Sequence, residues 1–184
     1  MKPLSLTLKN FGPYINETID FTKFEDSSLF LISGKTGSGK TTIFDGMSYA
    51  LFGESSGKLR LGKEMRSTFA DPSEATEVTL LFKHNEFLYE LNRLPEQELF
   101  KKRGTGVRKQ SAKISLIVKD AQGKELRAYS KRREVDELIQ ELLHLNANQF
   151  AQIVLLPQGE FRTFLIAKSD EKEKVLRNLF GTEL

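Results

Sequence analysis

The sequence predicts an α/β fold, and three observations carry that expectation. Leu29-Phe30-Leu31-Ile32 is a continuous apolar run of strand length, as a strand buried on both faces requires. A glycine-rich stretch follows at once, and then an amphipathic helix from about Lys40 to Phe52 with Ile43, Met47, Ala50 and Leu51 on one face. From Glu77 the hydrophobic period changes to two, the signature of half-buried strands.

The remaining elements can be read in chain order. Residues 3–9 alternate, with Leu4, Leu6 and Leu8 on one face, and read as a strand that Gly12-Pro13 breaks. Ile19 and Phe21 suggest a second strand before a turn at 25–28, and Gly53, Ser55, Ser56 and Gly57 mark a loop. Val78, Leu80 and Phe82 alternate with polar residues. After a turn at His84-Asn85, Phe87, Tyr89 and Leu91 do the same, so the two runs form an antiparallel hairpin.

Residues 95–111 are polar, basic and glycine-containing, and read as a mobile loop. Ile114, Leu116 and Val118 predict a further strand, ended by a turn at Asp120–Gly123, so the antiparallel region spans about 76–120. Val135, Leu138, Ile139, Leu142 and Leu143 fall at helical spacing and predict a helix over 134–144. Ile153–Leu156 is a short apolar run that Pro157 ends. Ser169, followed by Asp170 and Glu171, suits the start of a last helix over about 169–180, with Gly181 beyond it.

Length and composition suit one soluble domain: 184 residues, 39% hydrophobic and 29% charged. The absence of cysteine excludes disulfides and thiolate metal sites, and two histidines argue against a histidine-rich cluster. No apolar run reaches the ~20 residues of a membrane span, and the N-terminus lacks the apolar core of a signal peptide. A cytoplasmic protein with no membrane partner is the expectation. The net charge of +3 conceals segregation, for basic residues outnumber acidic ones twelve to two between Lys101 and Arg133.

The chemistry lies at residues 34–42. Gly34-Lys35-Thr36-Gly37-Ser38-Gly39-Lys40-Thr41 fits G-x-x-x-x-G-K-[ST] at every fixed position, between a strand and a helix. This is a Walker A P-loop, and it predicts binding of ATP with Mg²⁺. Glycines at 34, 37 and 39 let the backbone wrap phosphate so that several N–H groups converge on it. Lys40 offers a point charge to the β- and γ-phosphates, assisted by the positive end of the helix. The Thr41 hydroxyl can ligate Mg²⁺, and Thr42 can reach the α-phosphate.

Other expected parts are missing. A P-loop ATPase needs a carboxylate for Mg²⁺, ordinarily after an apolar strand. The nearest match, Ser115–Asp120, has Lys119 where an apolar residue should stand, so Asp120 reads better as a turn aspartate. No Leu-Ser-Gly-Gly-like signature occurs either. The sequence therefore reads as a phosphate grip separated from its hydrolytic carboxylates.

Several segments in order carry a family resemblance: LTLKNFGPY at 6–14, the P-loop with TTIFDGMSYALFGESSG, and RSTFADPSEATEVTLLF at 66–82. NRLPEQELFKKRGTG at 92–106, NQFAQIVLLPQGEFRTFL at 148–165 and a helix ending LFGT complete the set. The chain resembles the N-terminal half of the ATPase head of the SbcC family, bacterial relatives of the SMC-like DNA-repair ATPases. The resemblance implies an ABC-type P-loop NTPase head in which a mixed sheet and the P-loop strand–helix unit join an antiparallel region. The terminal helix would lead toward a long coiled coil. A C-terminal segment of the same head would supply the signature, the Walker B acids and the switch histidine. Two heads would close head to head as a homodimer around ATP and regulate an SbcD-type nuclease on double-stranded DNA.

The resemblance also implies that Gln158, in a Q-loop at about 156–160, senses Mg²⁺ and the γ-phosphate and joins Lys40 in catalysis. It brings Arg66 and Ser67 near the base or ribose. Related heads carry a basic residue after K-N-F, but here Gly12 follows Phe11, so no basic contact is assigned there. Lys101, Lys102, Arg103, Arg108 and Lys109, together with Lys131–Arg133, become the natural contacts for a DNA backbone.

Three other readings stand beside this one. A self-contained small P-loop kinase would need its own magnesium carboxylate and a lid. In an ABC transporter ATPase the Q-loop follows the P-loop by some tens of residues, whereas Gln158 follows Lys40 by 118. A nucleotide-gated DNA clamp that never hydrolyses is compatible with the same motifs.

Overall fold

The computed structural model describes residues 1–24, 32–55, 62–147 and 149–150. These residues form strands in two sheets, together with two long helices. In chain order the strands are β1 (Lys2–Phe11), β2 (Tyr14–Asp20), β3 (Glu77–His84), β4 (Phe87–Leu94), β5 (Gln97–Phe100), β6 (Val107–Gln110), β7 (Lys113–Lys119) and β8 (Glu125–Tyr129). Helix α1 spans Lys40–Phe52 and α2 spans Arg132–Leu143, with single 3-10 turns at Thr22–Phe24 and Gly62–Met65.

Six strands form one sheet in the order β2-β1-β3-β4-β7-β8, and β5 pairs with β6 in a second. Every pairing among the described residues is antiparallel. The mixed character expected for the sheet depends on the apolar run 29–31, which lies outside the described residues, as do Gln158 and the last predicted helix. Ile32 is described and packs against the core.

Register follows from the alternation. Leu6 pairs with Leu80, Leu80 with Leu91 and Leu91 with Leu116, a row of fully buried leucines across four strands. The next row toward the sheet end joins Phe82, Tyr89 and Val118, and the Phe82 and Tyr89 rings stack with centroids 5.1 Å apart. Each fully buried leucine contributes about 1.5–3 kcal/mol of transfer free energy. The opposite face is mostly polar: Thr7 meets Thr18, and Asn92 donates to both Glu77 and Thr79, with Leu81 and Ile117 as apolar exceptions. One covered and one wetted face is what an antiparallel sheet permits.

Helix α1 crosses β1, β3 and β4, while α2 packs on β7 and on α1. Gly46 allows the close approach of α1, since a Cβ there would stand 2.6 Å from Leu8 Cδ2. The C-terminus of α1 turns at Gly53 in the left-handed region, φ 75°, and the Gly53 N–H donates to Tyr49 O.

Two expectations need correction. Residues 95–111 are not simply a loop: β5 and β6 pair from Gln97–Gln110 to Phe100–Val107, and only 101–106 connect them. The antiparallel region also runs past Asp120, because β8 pairs with β7. Its five residues are mostly exposed, so backbone pairing rather than a buried face holds it.

Candidate nucleotide site

The P-loop runs into α1 as its motif requires. Gly37 and Gly39 adopt φ of 82° and 87°, conformations that L side chains rarely take. Gly39 is the N-cap of α1 and offers no side chain to the helix. The first N–H groups of any helix lack intrahelical acceptors, so those at the start of α1 remain for a ligand. The Ser38 N–H donates to Lys35 O at 3.2 Å and tightens the loop.

Lys40 closes the loop on itself. Its Nζ donates to Gly34 O at 2.8 Å and to Lys35 O at 2.7 Å, with Ser38 Oγ at 3.5 Å. Phosphate oxygens would compete with these carbonyls for the same ammonium, and a charged acceptor makes the stronger bond. Thr36, Gly37, Gly39, Lys40, Thr41 and Thr42 line an open pocket of about 320 Å³ with Pro13 as its far wall.

The β1–β2 turn forms that wall. Tyr14 Oη donates to Gly39 O at 3.2 Å, and a Cβ on Gly39 would stand 2.8 Å from both Pro13 Cγ and Tyr14 Oη. Burial against the loop raises the Tyr14 pKa, and nearby Glu17 raises it further. The pocket thus presents an ammonium, hydroxyls and N–H donors and no carboxylate, a donor set that fits a triphosphate. To Mg²⁺ its side chains offer only hydroxyl oxygens, from Thr36, Thr41 and Thr42. This suits an ion that takes most of its shell from phosphate and water. Among the described residues no cluster of His, Asp or Glu could hold a metal alone.

Arg66 and Ser67 are both engaged by neighbouring protein groups. Arg66 donates to Glu74 O at 2.6 Å and Asp71 O at 2.8 Å, and more weakly to Thr76 Oγ1 and Gln97 Oε1. Ser67 is buried, its N–H donates to Asn10 O, and its Oγ accepts from the Phe69 N–H. Both residues therefore brace the 66–76 segment. That segment reaches the pocket indirectly, for Gly12 N donates to Met65 O and Phe11 pairs with Arg66. Asp120 is a turn aspartate: its Oδ1 accepts from the Gln122 and Lys124 N–H groups.

The basic residues divide into two groups. Lys102 pairs with Glu74 at 2.6 Å and Lys109 with Glu96 at 3.1 Å, and the Lys102 bond holds the Glu74 pKa below its usual value. Lys101, Arg103 and Arg108 are exposed and make no ion pair among the described residues. Lys131, Arg132 and Arg133 each pair with an acid three or four residues on, so α2 neutralises its own basic cluster.

The sequence model of a family described as an AAA domain matches residues 5–184. The chain belongs to that family. Its fold is α/β and of the P-loop NTPase kind. Among curated relatives, the chain is 47% identical to the SbcC component of the nuclease SbcCD from Lactococcus lactis subsp. lactis strain IL1403, across 99% of this chain and 18% of the relative. The protein of the same name from Vibrio cholerae serotype O1 is 44% identical across 100% and 18%. That of Staphylococcus aureus strain JH9 is 47% identical across 100% and 18%. These full-chain similarities bear out the resemblance read from the motifs, and the chain spans about a fifth of the length of these relatives. A solved SMC ATPase structure aligns over 97% of this chain and 99% of its own at 16% identity and TM-score 0.44, a likeness too weak to carry an argument. Among the described residues no helix is long and apolar enough to cross a membrane.

Proposed function

We propose that this AAA-domain chain is the ATP-binding half of an SbcC-type ATPase head. The carrying observation is the pocket in which Lys40, Thr41, Thr42 and the open start of α1 face the space beside Pro13. Gly34, Lys35, Thr36, Gly37, Ser38 and Gly39 supply the backbone that would wrap the phosphates. Lys40 would leave the Gly34 and Lys35 carbonyls for the β- and γ-phosphates. Thr41, with Gln158, would hold Mg²⁺, which when bound neutralises phosphate charge at the reacting end of the nucleotide.

In this reading hydrolysis requires acids from a C-terminal segment of the same head and a signature from a second head, so the chain alone binds ATP and turns it over negligibly. The partners are that segment, a head-to-head copy, an SbcD-type nuclease and double-stranded DNA, all in the cytoplasm. Support for the DNA contact comes from Lys101, Arg103 and Arg108, which are exposed and outside the ion pairs of the described residues. Lys102 and Lys109 are secondary because carboxylates already hold them.

The test is Mg-ATP binding and turnover by this chain beside Lys40→Ala. Lys40-dependent binding without turnover is the expected result. Robust turnover abolished by Lys40→Ala would mean that the chain holds a complete site, and the half-head reading would fall. Absence of binding would remove the nucleotide reading itself.

A further inference from the structure

A buried guanidinium lies at the opposite end of the phosphate-binding helix. Arg93 sits on β4 between Val78 of β3 and Ile114 of β7, on the face that α1 covers, and is 5% exposed. Its neighbours along that face of β4 are Tyr89 and Leu91, so an apolar side chain would fill the position at far lower desolvation cost. Burial lowers its pKa, while Asp136 pulls the other way.

The contacts show what the charge holds. Arg93 Nε donates to Ala50 O at 3.0 Å, and Nη2 donates to Leu51 O at 3.2 Å and to Asp136 Oδ1 at 3.0 Å. Ala50 and Leu51 belong to the last turn of α1, whose carbonyls have no intrahelical donor. A cation there also meets the negative end of the helix dipole, whose positive end is the P-loop. Gly53 clears the space, since a Cβ on it would stand 2.8 Å from Arg93 Nη1. Asp136 lies on α2 and is held from its other oxygen by Arg132 at 3.2 Å. The same end of α1 meets the chain beyond α2, where the Phe52 and Phe150 ring centroids are 5.4 Å apart.

We propose that Arg93 is a positioning residue for the phosphate site, fixing α1 along its axis through the Ala50 and Leu51 carbonyls and coupling it to α2 through Asp136. A 13-residue helix is about 20 Å long and moves as a rod. Restraint at Leu51 is therefore felt at Lys40, and a shift at the P-loop is felt at α2. The inference rests on the nucleotide reading of the P-loop.

The experiment uses the full 184-residue chain and a fluorescent ATP analogue with Mg²⁺, at a temperature where circular dichroism shows each variant folded. Arg93→Met is expected to weaken binding at least about tenfold, because small displacements of phosphate-holding groups are costly. Arg93→Lys, a single ammonium that cannot span two carbonyls and a carboxylate, should fall between. A purely structural role would lower the melting temperature and leave the affinity of folded protein unchanged, and that result overturns the proposal. Asp136→Asn keeps the cap and weakens the link to α2, together with the exposed Arg132 pair within α2. With it, nucleotide-induced change in hydrogen exchange over residues 132–143, expected in the parent chain, should be lost while affinity stays within about twofold. Should Arg93→Met not fold, this second variant decides, and an unchanged exchange response overturns the coupling. Lys40→Ala separates the two readings: if it leaves binding intact, the nucleotide reading fails and this one with it. Lys40-dependent binding indifferent to Arg93→Met defeats the positioning role alone.

Discussion

A Cβ on Gly12 would stand 2.5 Å from Thr42 Cγ2, which makes the β1–β2 turn the wall that sets where the start of α1 lies. Gly12 adopts φ 57°, and its N–H donates to Met65 O at 2.7 Å, so the turn is gripped from behind. No side chain fits between the turn and Thr42 unless one of them moves. Glycine after Lys9-Asn10-Phe11 therefore suits this packing, and a larger residue at position 12 would need a shift of the turn or of Thr42.

Gly12→Ala is accordingly expected to weaken Mg-ATP binding as well as stability. The left-handed backbone alone costs an L residue about 1–2 kcal/mol. Displacement of Thr42 should add a loss of affinity beyond that of the folded fraction. Equal affinity in fully folded Gly12→Ala protein would show that Thr42 does not contribute to phosphate binding.

Ser48 offers a gain of stability. It is fully buried in α1, and its Oγ has no hydrogen-bond partner. Ser48→Ala removes a desolvated hydroxyl and puts the best helix former in its place. The chain should gain about 1 kcal/mol, seen as a higher urea midpoint with unchanged slope. A lower midpoint would mean that the hydroxyl is hydrogen-bonded in solution.

Much of this architecture was legible and some was not, for separable reasons. The bounds of α1 could be read because glycines punctuate both ends, and the helix is found at Lys40–Phe52 as expected. Helix α2 begins two residues before the apolar period predicts, because Arg132 and Arg133 are polar and carry no period; they and Lys131 make exposed ion pairs along its first turn. The β5–β6 hairpin was hidden by its basic composition, although buried Gln97 and Leu99 alternating with exposed Glu98 and Phe100 was a usable signal. Strand β8 is mostly exposed, with Tyr129 alone partly buried against the core, and so leaves no period to read. In the site, the loop chemistry came from spacing alone. Arg93 was missed because an inward-facing basic residue in an alternating strand carries meaning only once its acceptors are known.

Charge reversal separates the basic residues of the hairpin. If a DNA backbone lies there, Lys101→Glu, Arg103→Glu and Arg108→Glu together should weaken duplex binding by the assembled head and flatten its salt dependence. Each phosphate that is no longer neutralised takes about 0.9 from the logarithmic slope. Lys102→Glu should act less on DNA and more on the fold, since it faces Glu74 with like charge. Unchanged affinity and slope in the triple variant would exclude this face.

His84 gives the chain a directional response to pH. It ends β3, and its Nδ1 is enclosed without a hydrogen-bond partner. Burial lowers its pKa, and the N-terminus and His144 lower it further. The folded chain therefore favours neutral His84, while in the unfolded chain the imidazole titrates near its ordinary value of about 6.5. Above that value neither state holds the proton and the contribution of His84 to stability is fully present. As pH falls below it the unfolded chain gains a proton that the folded one refuses. Stability then declines until the folded pKa is passed, and levels off beneath it. Thermal midpoints measured in steps from about pH 8 down to about pH 5 should fall in that order for the parent chain, and His84→Leu should fall less over the same interval. Parallel curves for the two proteins would show that His84 does not carry the response; Glu74 and Asp71, whose carboxyl pKa values their partners lower, lose their contribution only at more acid pH.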